Sequence, residues 1–300
     1  MIPPSSGLIW GLEMEILYQG VIQGVLIGST YGLIALSMGL IYGVSGITNF
    51  AQGDLMVLCM FMTLTLSTLL NLDPYVSILI TMPVIIAVTA VVYRYLIQPI
   101  SSQQLMVIQL TLGLMFVIQN GILMVYGGNF QRVPSVLDGD VLVIGDFAVV
   151  QTSLLISFVA TWGLAGVLFW TLGYTDFGRS VRAVHQNAKA AALVGVDVRR
   201  TQLIVVSLSA AILAVSASLL VAGRPIHPGE GLHYTVVALM PFVLGGMNNL
   251  LSILVSGIII GVAETLGNVY LNGPLGFAVP YAVFIAILIF RPQGLFGSRS

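Results

Sequence analysis

The sequence predicts an all-α polytopic membrane protein with about eight or nine transmembrane helices, some of them broken or re-entrant. Of its 300 residues, 58% are hydrophobic and only 7% are charged, whereas a soluble domain carries roughly 25% charged residues. So few charged side chains cannot cover a globule of this size with a wetted surface, so lipid must surround most of the chain. No stretch between the apolar runs is long enough for a soluble domain, and residues 1–300 are therefore predicted to form one transmembrane domain.

The first element is a short N-terminal tail, residues 1–15. It contains two acids, Glu13 and Glu15, and no cation. A cleaved signal peptide requires a basic n-region, so none is predicted. The apolar pattern begins just after Met14, which makes Met14 a candidate translation start.

Apolar runs then follow along the whole chain. A helix that spans a bilayer needs about 20 residues, and the last run is short for that. The run 234–266 is longer than one span and is interrupted by GGMNN, so it forms either one segment or two short or re-entrant helices. The count is therefore eight or nine, and the distribution of charge favours nine. The runs cover residues 16–42, 50–70, 75–97, 105–126, 150–172, 201–222, 234–266 and 277–291.

The distribution of charge predicts the orientation. Half of the ten Lys and Arg residues lie between residues 178 and 200, and cytoplasmic loops are enriched in these residues. The loop 173–200 is therefore predicted inside. Nine segments then put the N-terminus and the loop 127–149 outside and the C-terminus inside, with only Arg132 and Arg224 among the outer cations. Within the outer loop, VLVIGDFAVV is predicted to be extended.

Four glycines at intervals of four residues lie on one face of the first helix. A face without side chains lets a neighbouring helix approach closely, and Gly257 and Gly261 repeat the pattern later. Helix packing is the first interpretation. A face that slides, or that lines a path for a small solute, is the alternative. The four are Gly20, Gly24, Gly28 and Gly32.

The stretch IYGVSGITNFAQGDLMVL, residues 41–58, predicts a break between two helices. Asn49 followed by Gln52 matches a capping box, so a new helix is expected to begin near Phe50. An acid in its first turns, Asp54, is favoured by the helix dipole. The stretch is either a capped helix start at the interface or a polar break that lines a cavity. Candidates for the translocation path are Asn49, Phe50, Gln52, Gly53 and Asp54.

Glu264 is the other acid inside an apolar run, and it completes the set of path candidates. Intramembrane carboxylates are costly and indicate function by default. The alternative is a carboxylate near the end of its helix that reaches water.

His227 and His233 flank Glu230 in a short loop, but without a third nitrogen or sulfur ligand no metal site is predicted.

Several chemistries are absent from the sequence. The sole lysine, Lys189, follows AVHQNA, which contains no glycine, so no phosphate-binding loop and no nucleotide cofactor are predicted. No hydrolase or metalloprotease motif is present, and no catalytic residue is predicted. The basic loop is small and has few aromatic residues, which argues against nucleic acid.

Residues 178–200 of the basic loop read GRSVRAVHQNAKAAALVGVDVRR. In this stretch an Ala- and Leu-rich helix is followed by glycine and an aliphatic residue. This pattern resembles the coupling loop of ABC importer permeases. Together with YGLIALSMGLIYGVSGITNFAQGD, VLGGMNNL and FRPQGLFG, it resembles the permeases of high-affinity branched-chain amino acid ABC transporters. The four motifs occur in the family's order over nearly the full length. The NNLL of residues 248–251 and the alanines after Lys189 depart from the family pattern.

The resemblance implies a multi-pass permease of the bacterial inner membrane that translocates branched-chain or related hydrophobic amino acids. It implies two ATP-binding cassette ATPase subunits that use the ATP, a second homologous permease subunit and a periplasmic or extracellular substrate-binding protein. It also assigns residues to the ATPase-coupling loop, within 173–200. These are Arg182, Asn187, Ala191, Leu193, Val194 and Gly195.

Other functions remain open at this point. Urea and short-amide permeases share these motifs, and a sugar permease belongs to the same broad superfamily. An ion-coupled secondary carrier needs an intramembrane ion site, for which only Asp54 and Glu264 offer charge. An intramembrane enzyme lacks a catalytic set. The genes beside this one would discriminate among these classes.

Overall fold

The structure is a computed structural model, and it describes residues 6–101, 103–137, 139–144, 148–246, 249–271, 273–291 and 294–295. Some sequence predictions lie outside the described residues. They concern part of the N-terminal tail, the centre of VLGGMNNL, part of the extended outer segment and most of FRPQGLFG. The residues concerned are 1–5, 145–147, 247–248, 292–293 and 296–300.

Helices make up most of the described chain, which confirms the predicted fold class. Seven helices are long and apolar enough to cross a membrane. Two shorter ones, α8 and α10, bring the number to nine, and α6 is the tenth α-helix of the described residues. The helices are α1 (Ser6–Ser45), α2 (Gln52–Leu70), α3 (Pro74–Val92), α4 (Gln104–Tyr126), α5 (Thr152–Tyr174), α6 (Asp176–Leu193), α7 (Val198–Val221), α8 (Gly231–Gly245), α9 (Leu250–Tyr270) and α10 (Val279–Phe290).

Short elements connect these helices. A π-helical turn, Tyr93–Ile97, and a 3-10 turn, Gln98–Ile100, extend α3. Two further 3-10 turns, Pro228–Glu230 and Gly273–Ala278, precede α8 and α10. The predicted extended segment forms a hairpin of antiparallel strands in which Val141 pairs with Gln151, and its strands are β1 (Val141–Ile144) and β2 (Ala148–Gln151).

Polar side chains start four of the helices. In each case an oxygen of the residue before the helix accepts a hydrogen bond from a backbone N–H of the first turn, which otherwise has no partner inside the helix. The pairs are Asp73 with Tyr75, Thr175 with Gly178, Asp197 with Arg200, and Asn249 with Leu251.

The helices form a packed centre and a lipid-facing periphery. Helix α1 packs along α9 and also contacts α7 and α8. In the most apolar window of α1, 89% of the residues are buried, whereas the figure is 22% for α3 and α4 and 28% for α5. Apolar side chains exposed on the peripheral helices are stable in lipid. Helix α1 therefore lies in the centre of the bundle, whereas α3, α4 and α5 form its lipid-facing periphery.

The two ends of the bundle differ. Helix α6 lies at one end, between α5 and α7, and we call this the α6 end. At the opposite end, Asp73 accepts a hydrogen bond from the Val136 N–H at 2.8 Å. Gln131 and Ile226 form an isolated antiparallel bridge there. The connections α2–α3, α4–α5 and α7–α8 are therefore tied together away from α6.

Candidate functional site

The chain between α1 and α2 turns back into the bundle. Helix α1 ends at Ser45, residues 46–51 are not helical, and α2 begins at Gln52. The Gln52 Nε2 atom donates to Ser37 Oγ at 2.8 Å. Because Ser37 precedes Ser45 by eight residues, this contact lies roughly 12 Å up α1 from its end. Non-helical backbone is tolerated at such depth only where protein or a cavity surrounds it.

Asn49 and Gln52 meet at this break, but not as a capping box. Asn49 Oδ1 accepts from the Ala51 N–H at 3.0 Å, and Asn49 Nδ2 donates to Gln52 Oε1 at 3.3 Å. Helix α2 begins at Gln52, two residues after the predicted start near Phe50, but the predicted capping box is not formed. The Asn49 side chain closes a local turn, so the N-cap position falls to Ala51, which has no side-chain cap.

Helix α2 begins in direct contact with α8. The Gly53 N–H donates to Thr235 Oγ1 at 3.0 Å, and that hydroxyl lies 3.1 Å from the carbonyl oxygen of Phe50. A β-carbon on Gly53 would lie 2.0 Å from the carbonyl oxygen of Gly231. The two backbones therefore touch where both helices start.

Asp54 is buried in this contact. Its side chain is 0% exposed, and neither carboxylate oxygen has a hydrogen-bond partner in the described part of the chain. The carboxylate lies against Gly231, the first residue of α8. The positive ends of α2 and α8 converge on it, and this favours a negative charge there. A carboxylate so enclosed is costly, which marks the position as functional or switchable.

A cavity of about 100 Å³ borders the break. Its lining is almost entirely apolar and comes from α1, α2, α3, α4 and α7, with Asn49 at one side. Thr89 and Tyr93 also line it, and their hydroxyl oxygens are buried without a partner among the described residues. The break therefore adjoins unfilled volume, which a change in the conformation of residues 46–51 would require.

Glu264 takes part in a second polar group, closer to the opposite end of the bundle. Its side chain is 5% exposed, so the interpretation of a carboxylate that reaches water is wrong. Tyr31 Oη donates to Glu264 Oε1 at 3.1 Å, and Arg224 Nη1 donates to Tyr31 Oη at 3.0 Å. The Tyr31 hydroxyl thus links Glu264 to the basic side chain of Arg224. The residues next to Glu264 in the sequence supply no such partner.

The connection before α8 continues this group. Tyr234 Oη donates to Glu230 Oε2 at 3.4 Å. Burial raises the pKa of the Glu230 carboxyl above its usual range, and the neighbouring His233 opposes the rise. His227 Nδ1 accepts from the Gly229 N–H at 2.9 Å. Across the described ranges, no group of three or more His, Cys, Asp or Glu side chains could hold a metal ion.

The glycine ladder lies against α9. A β-carbon on Gly28 would lie 2.7 Å from the Gly257 carbonyl oxygen, and one on Gly261 would lie 2.3 Å from the Cα of Gly28. Gly24 and Gly32 are equally tight against backbone, whereas Gly20 meets mainly the Leu266 side chain. The ladder is thus the surface on which the two central helices are in backbone contact.

Helix α6 consists of two pieces. Asn187 has φ −161° and ψ 101°, which breaks the helix, and its Oδ1 accepts from the Ala190 N–H at 3.0 Å. The short second piece ends at Leu193, and Gly195 follows with φ +90°. Leu193 is 89% exposed and Val194 is 79% exposed. Two large aliphatic side chains therefore project from the end of the bundle.

Two of the residues expected at this surface point elsewhere. Ala191 is buried against the core, because its position on the helix faces the bundle. Arg182 donates to the Leu172 carbonyl oxygen at the end of α5. Ala191 therefore packs inside this chain, and Arg182 ties α6 to α5.

Sequence reasoning missed Tyr31, Arg224, Ser37, Ser209 and Thr235. Ser209 Oγ, on α7, donates to the Ser37 carbonyl oxygen at 2.7 Å. Small hydroxyl residues inside apolar runs are common and carry little signal individually. Arg224 did carry a signal in the sequence, since it is an isolated cation only three residues after an apolar helix.

Comparison with known proteins gives a consistent result. The family described as "Branched-chain amino acid transport system / permease component" matches residues 20–288. The chain is 27% identical to the high-affinity branched-chain amino acid transport system permease protein BraD of Pseudomonas aeruginosa, over 93% of this chain and 95% of that protein. It is also 27% identical to the corresponding permease protein LivH of Escherichia coli, with the same coverage.

Among solved structures, the fold is similar to a chain of PsaBC from Streptococcus pneumoniae in complex with Fab. The TM-score is 0.50, with 15% identity, and the match covers 91% of this chain and 92% of that one. At this identity the likeness concerns the fold alone.

Proposed function

The chain belongs to the branched-chain amino acid ABC transporter permease family, and we propose that it is the membrane-spanning subunit of an importer for branched-chain or related hydrophobic amino acids. ATP hydrolysis in separate subunits drives the import. The chain itself binds no nucleotide, metal or other cofactor and catalyses no reaction. Its location is the bacterial inner membrane, which it crosses several times.

The observation that carries this proposal is the exposed aliphatic pair Leu193 and Val194 at the end of α6. Helix α6 is amphipathic and polar outside, so it does not enter lipid as the seven long helices do. Large apolar side chains exposed to water normally have a partner. Lys189 and Arg199 lie beside the pair and are exposed. An ATPase subunit with a complementary apolar groove and acidic rim fits this surface.

The complete importer contains further subunits. Two ATPase subunits, a second homologous permease and an extracytoplasmic substrate-binding protein are proposed from family membership. The permease subunits pair in the membrane, and the binding protein delivers substrate at the end opposite α6. In that orientation the cation-rich segment faces the cytoplasm.

Contacts of α6 suggest how a docked ATPase acts on the bundle. His185 Nδ1 contacts the Gly43 carbonyl oxygen, three residues before the non-helical break begins. Arg182 holds the end of α5. Movement of α6 therefore acts on the last turn of α1 and on the break at Asn49. Alternating access also requires two global states whose balance substrate and ATP shift differently.

Reconstitution tests the proposal. The chain is co-expressed with the ATPases, the second permease and the binding protein of its transport system, and the complex is placed in proteoliposomes. We expect uptake of labelled leucine only with ATP inside and binding protein outside. Uptake that persists without the ATPases, or that follows an ion gradient, would identify a secondary carrier instead.

Competition for uptake distinguishes the substrate classes. Valine and isoleucine should compete with labelled leucine, whereas urea, acetamide and arabinose should not. ATP-dependent uptake of one of these compounds in place of leucine would retain the permease assignment and replace the substrate.

A further inference from the structure

Two opposite charges in the bundle are separated by a single tyrosine hydroxyl. The Arg224 guanidinium donates to Tyr31 Oη at 3.0 Å, and Tyr31 Oη donates to Glu264 at 3.1 Å. Tyr31 is 0% exposed and Glu264 is 5% exposed. The two charges therefore lie two hydrogen-bond lengths apart with one oxygen between them.

This group lies deep in the bundle, towards the end opposite α6. Tyr31 precedes the end of α1 at Ser45 by fourteen residues, and Glu264 follows the start of α9 at Leu250 by fourteen residues. Both side chains are thus roughly 21 Å along their helices from the α6 end. Arg224 reaches them from the connection after α7. Three separate segments converge on one hydroxyl.

Stability does not account for this arrangement. A buried ion pair is usually no more stabilising than apolar side chains of similar volume, and an intramembrane carboxylate is costly. Charges kept in such a place indicate that they have a partner in another state of the protein.

We propose that Arg224 and Glu264 bind the head group of a zwitterionic α-amino acid, and that Tyr31 takes the place of that head group in the present state. The inference rests on the proposed function and adds the chemistry by which the permease itself recognises its substrate. The planar guanidinium binds the α-carboxylate through two parallel hydrogen bonds. The Glu264 carboxylate accepts from the α-ammonium.

The spacing suits this ligand. In an α-amino acid one carbon separates the ammonium from the carboxylate, so the head group is a compact pair of opposite charges. Tyr31 Oη imitates it, because a hydroxyl accepts on one side and donates on the other. Rotation of the tyrosine ring away from Arg224 and Glu264 would leave both charges unpaired at once. A zwitterion satisfies both, whereas an amine or an acid satisfies only one.

The surroundings suit an aliphatic side chain. Next to Glu264 lies a cavity whose lining is mainly apolar, with Val237, Met240, Ile260 and Phe277 among its side chains, and which His233 and Tyr281 also line. Its volume is about 10 Å³, which is room for no more than about one water molecule. The present state is therefore closed to substrate. Separation of α8 from α9 would enlarge an apolar space beside the charges.

The test measures binding to the assembled membrane complex in nanodiscs, without the binding protein, whose own selectivity would mask that of the permease. Labelled leucine is the probe. Leucinamide, which lacks the carboxylate, and 4-methylpentanoate, which lacks the ammonium, are competitors. The wild type should bind leucine more tightly than either analogue.

The variants should distinguish the contribution of Arg224 to binding from that of Glu264. Arg224→Gln should weaken the binding of leucine about tenfold, because a hydrogen bond to the charged α-carboxylate is lost. The affinity for leucinamide, which lacks that carboxylate, should not change. Glu264→Gln should weaken the binding of leucine to a similar degree and leave the affinity for 4-methylpentanoate unchanged. Tyr31→Phe should bind leucine at least as tightly as the wild type, since the internal competitor is removed. Arg224→Lys provides a charged substitute should Arg224→Gln fail to assemble.

A purely structural role predicts a different pattern. The three variants would then change the binding of all three ligands in parallel, with Tyr31→Phe as harmful as the others, and the inference would be overturned. Absence of leucine binding to the wild-type complex would also overturn it. ATP-driven leucine uptake by the wild type is measured separately, after the same purified complex is placed in proteoliposomes with the binding protein outside. If uptake is present while the binding pattern is parallel, the proposed function stands and only this inference fails.

Discussion

Gly231 of α8 lies so close to Asp54 of α2 that a β-carbon on the glycine would be 2.1 Å from the carboxylate oxygen Oδ1. The contact joins the first turns of two helices through residues that are 177 positions apart in the sequence. It excludes water from the carboxylate, since Asp54 is fully buried. Any motion that separates α2 from α8 therefore exposes a charge, and any motion that keeps them together must carry both helices as a unit.

Gly53→Ala should destabilise the protein. The added β-carbon would lie 2.0 Å from the Gly231 carbonyl oxygen and 2.5 Å from the Thr235 nitrogen. Because both neighbours are backbone atoms, no side-chain rotation relieves the clash, and overpacking of this kind costs about 1–3 kcal/mol. The melting temperature in detergent is the measurement. Gly163→Ala is the matched control, because nothing lies within 4 Å of its added carbon. Equal melting temperatures for the two variants would contradict the close contact.

Gly28→Leu should prevent assembly of the bundle. The new side chain would meet the backbone of Gly257 and Ile258 within 2.7 Å, and α1 could then no longer approach α9. We expect loss of the folded monodisperse peak in size-exclusion chromatography and loss of uptake. Gly113→Leu on the peripheral helix α4 adds the same bulk in open space and should fold normally. Normal uptake by Gly28→Leu would mean that the ladder does not face α9.

Asp54→Asn should leave thermal stability unchanged or increase it. The substitution keeps the shape and removes a buried charge that has no partner in the described chain, and unpaired buried charge is costly. Asp73→Asn is the contrasting variant. The Asp73 carboxylate accepts from Tyr75 and Val136 backbone N–H groups, so its neutralisation should lower the melting temperature. A clear loss of stability in Asp54→Asn would indicate that its carboxylate is paired.

Leu193→Asp should uncouple transport without affecting folding. At 89% exposure the side chain contributes little to the fold, yet central apolar anchors dominate an interface of modest size. We expect normal membrane levels, loss of ATPase co-purification and loss of uptake. Arg199→Ala, at the rim, should be mild, because rim charges mainly tune encounter rate. Normal co-purification and uptake with Leu193→Asp would move the docking surface elsewhere.

Single-cysteine labelling should establish the orientation. In a Cys59→Ala background, a cysteine at Gln186 in α6 should react with a membrane-impermeant maleimide only after the cells are opened. A cysteine at Val136, which is 84% exposed at the opposite end, should react in intact cells. Gln186 is preferred to Asn187 because the Asn187 side chain caps the second piece of α6. The reverse labelling pattern would invert the topology.

Several features followed from the sequence alone. The membrane class and the approximate helix positions depend on hydropathy, which is a local property of the chain. A break between α1 and α2 followed from the stretch IYGVSGITNFAQGDLMVL, and the end of α6 followed from the glycine after its aliphatic residues. Gly46 and Gly195 both have a positive φ, which glycine adopts without steric cost. Each of these predictions needed only neighbours within one or two helical turns.

Only the tertiary structure decided which distant groups meet. Tyr31 and Glu264 are 233 residues apart, and Arg224 joins them from a third segment. Their distances depend on how closely α1 and α9 approach, which the glycines of both helices set jointly. Asp54 likewise offered two readings in the sequence, and the contact with Gly231 determined that it is enclosed. Helix packing brings such groups together through side-chain fit across the whole bundle, so no local stretch of sequence contains the information.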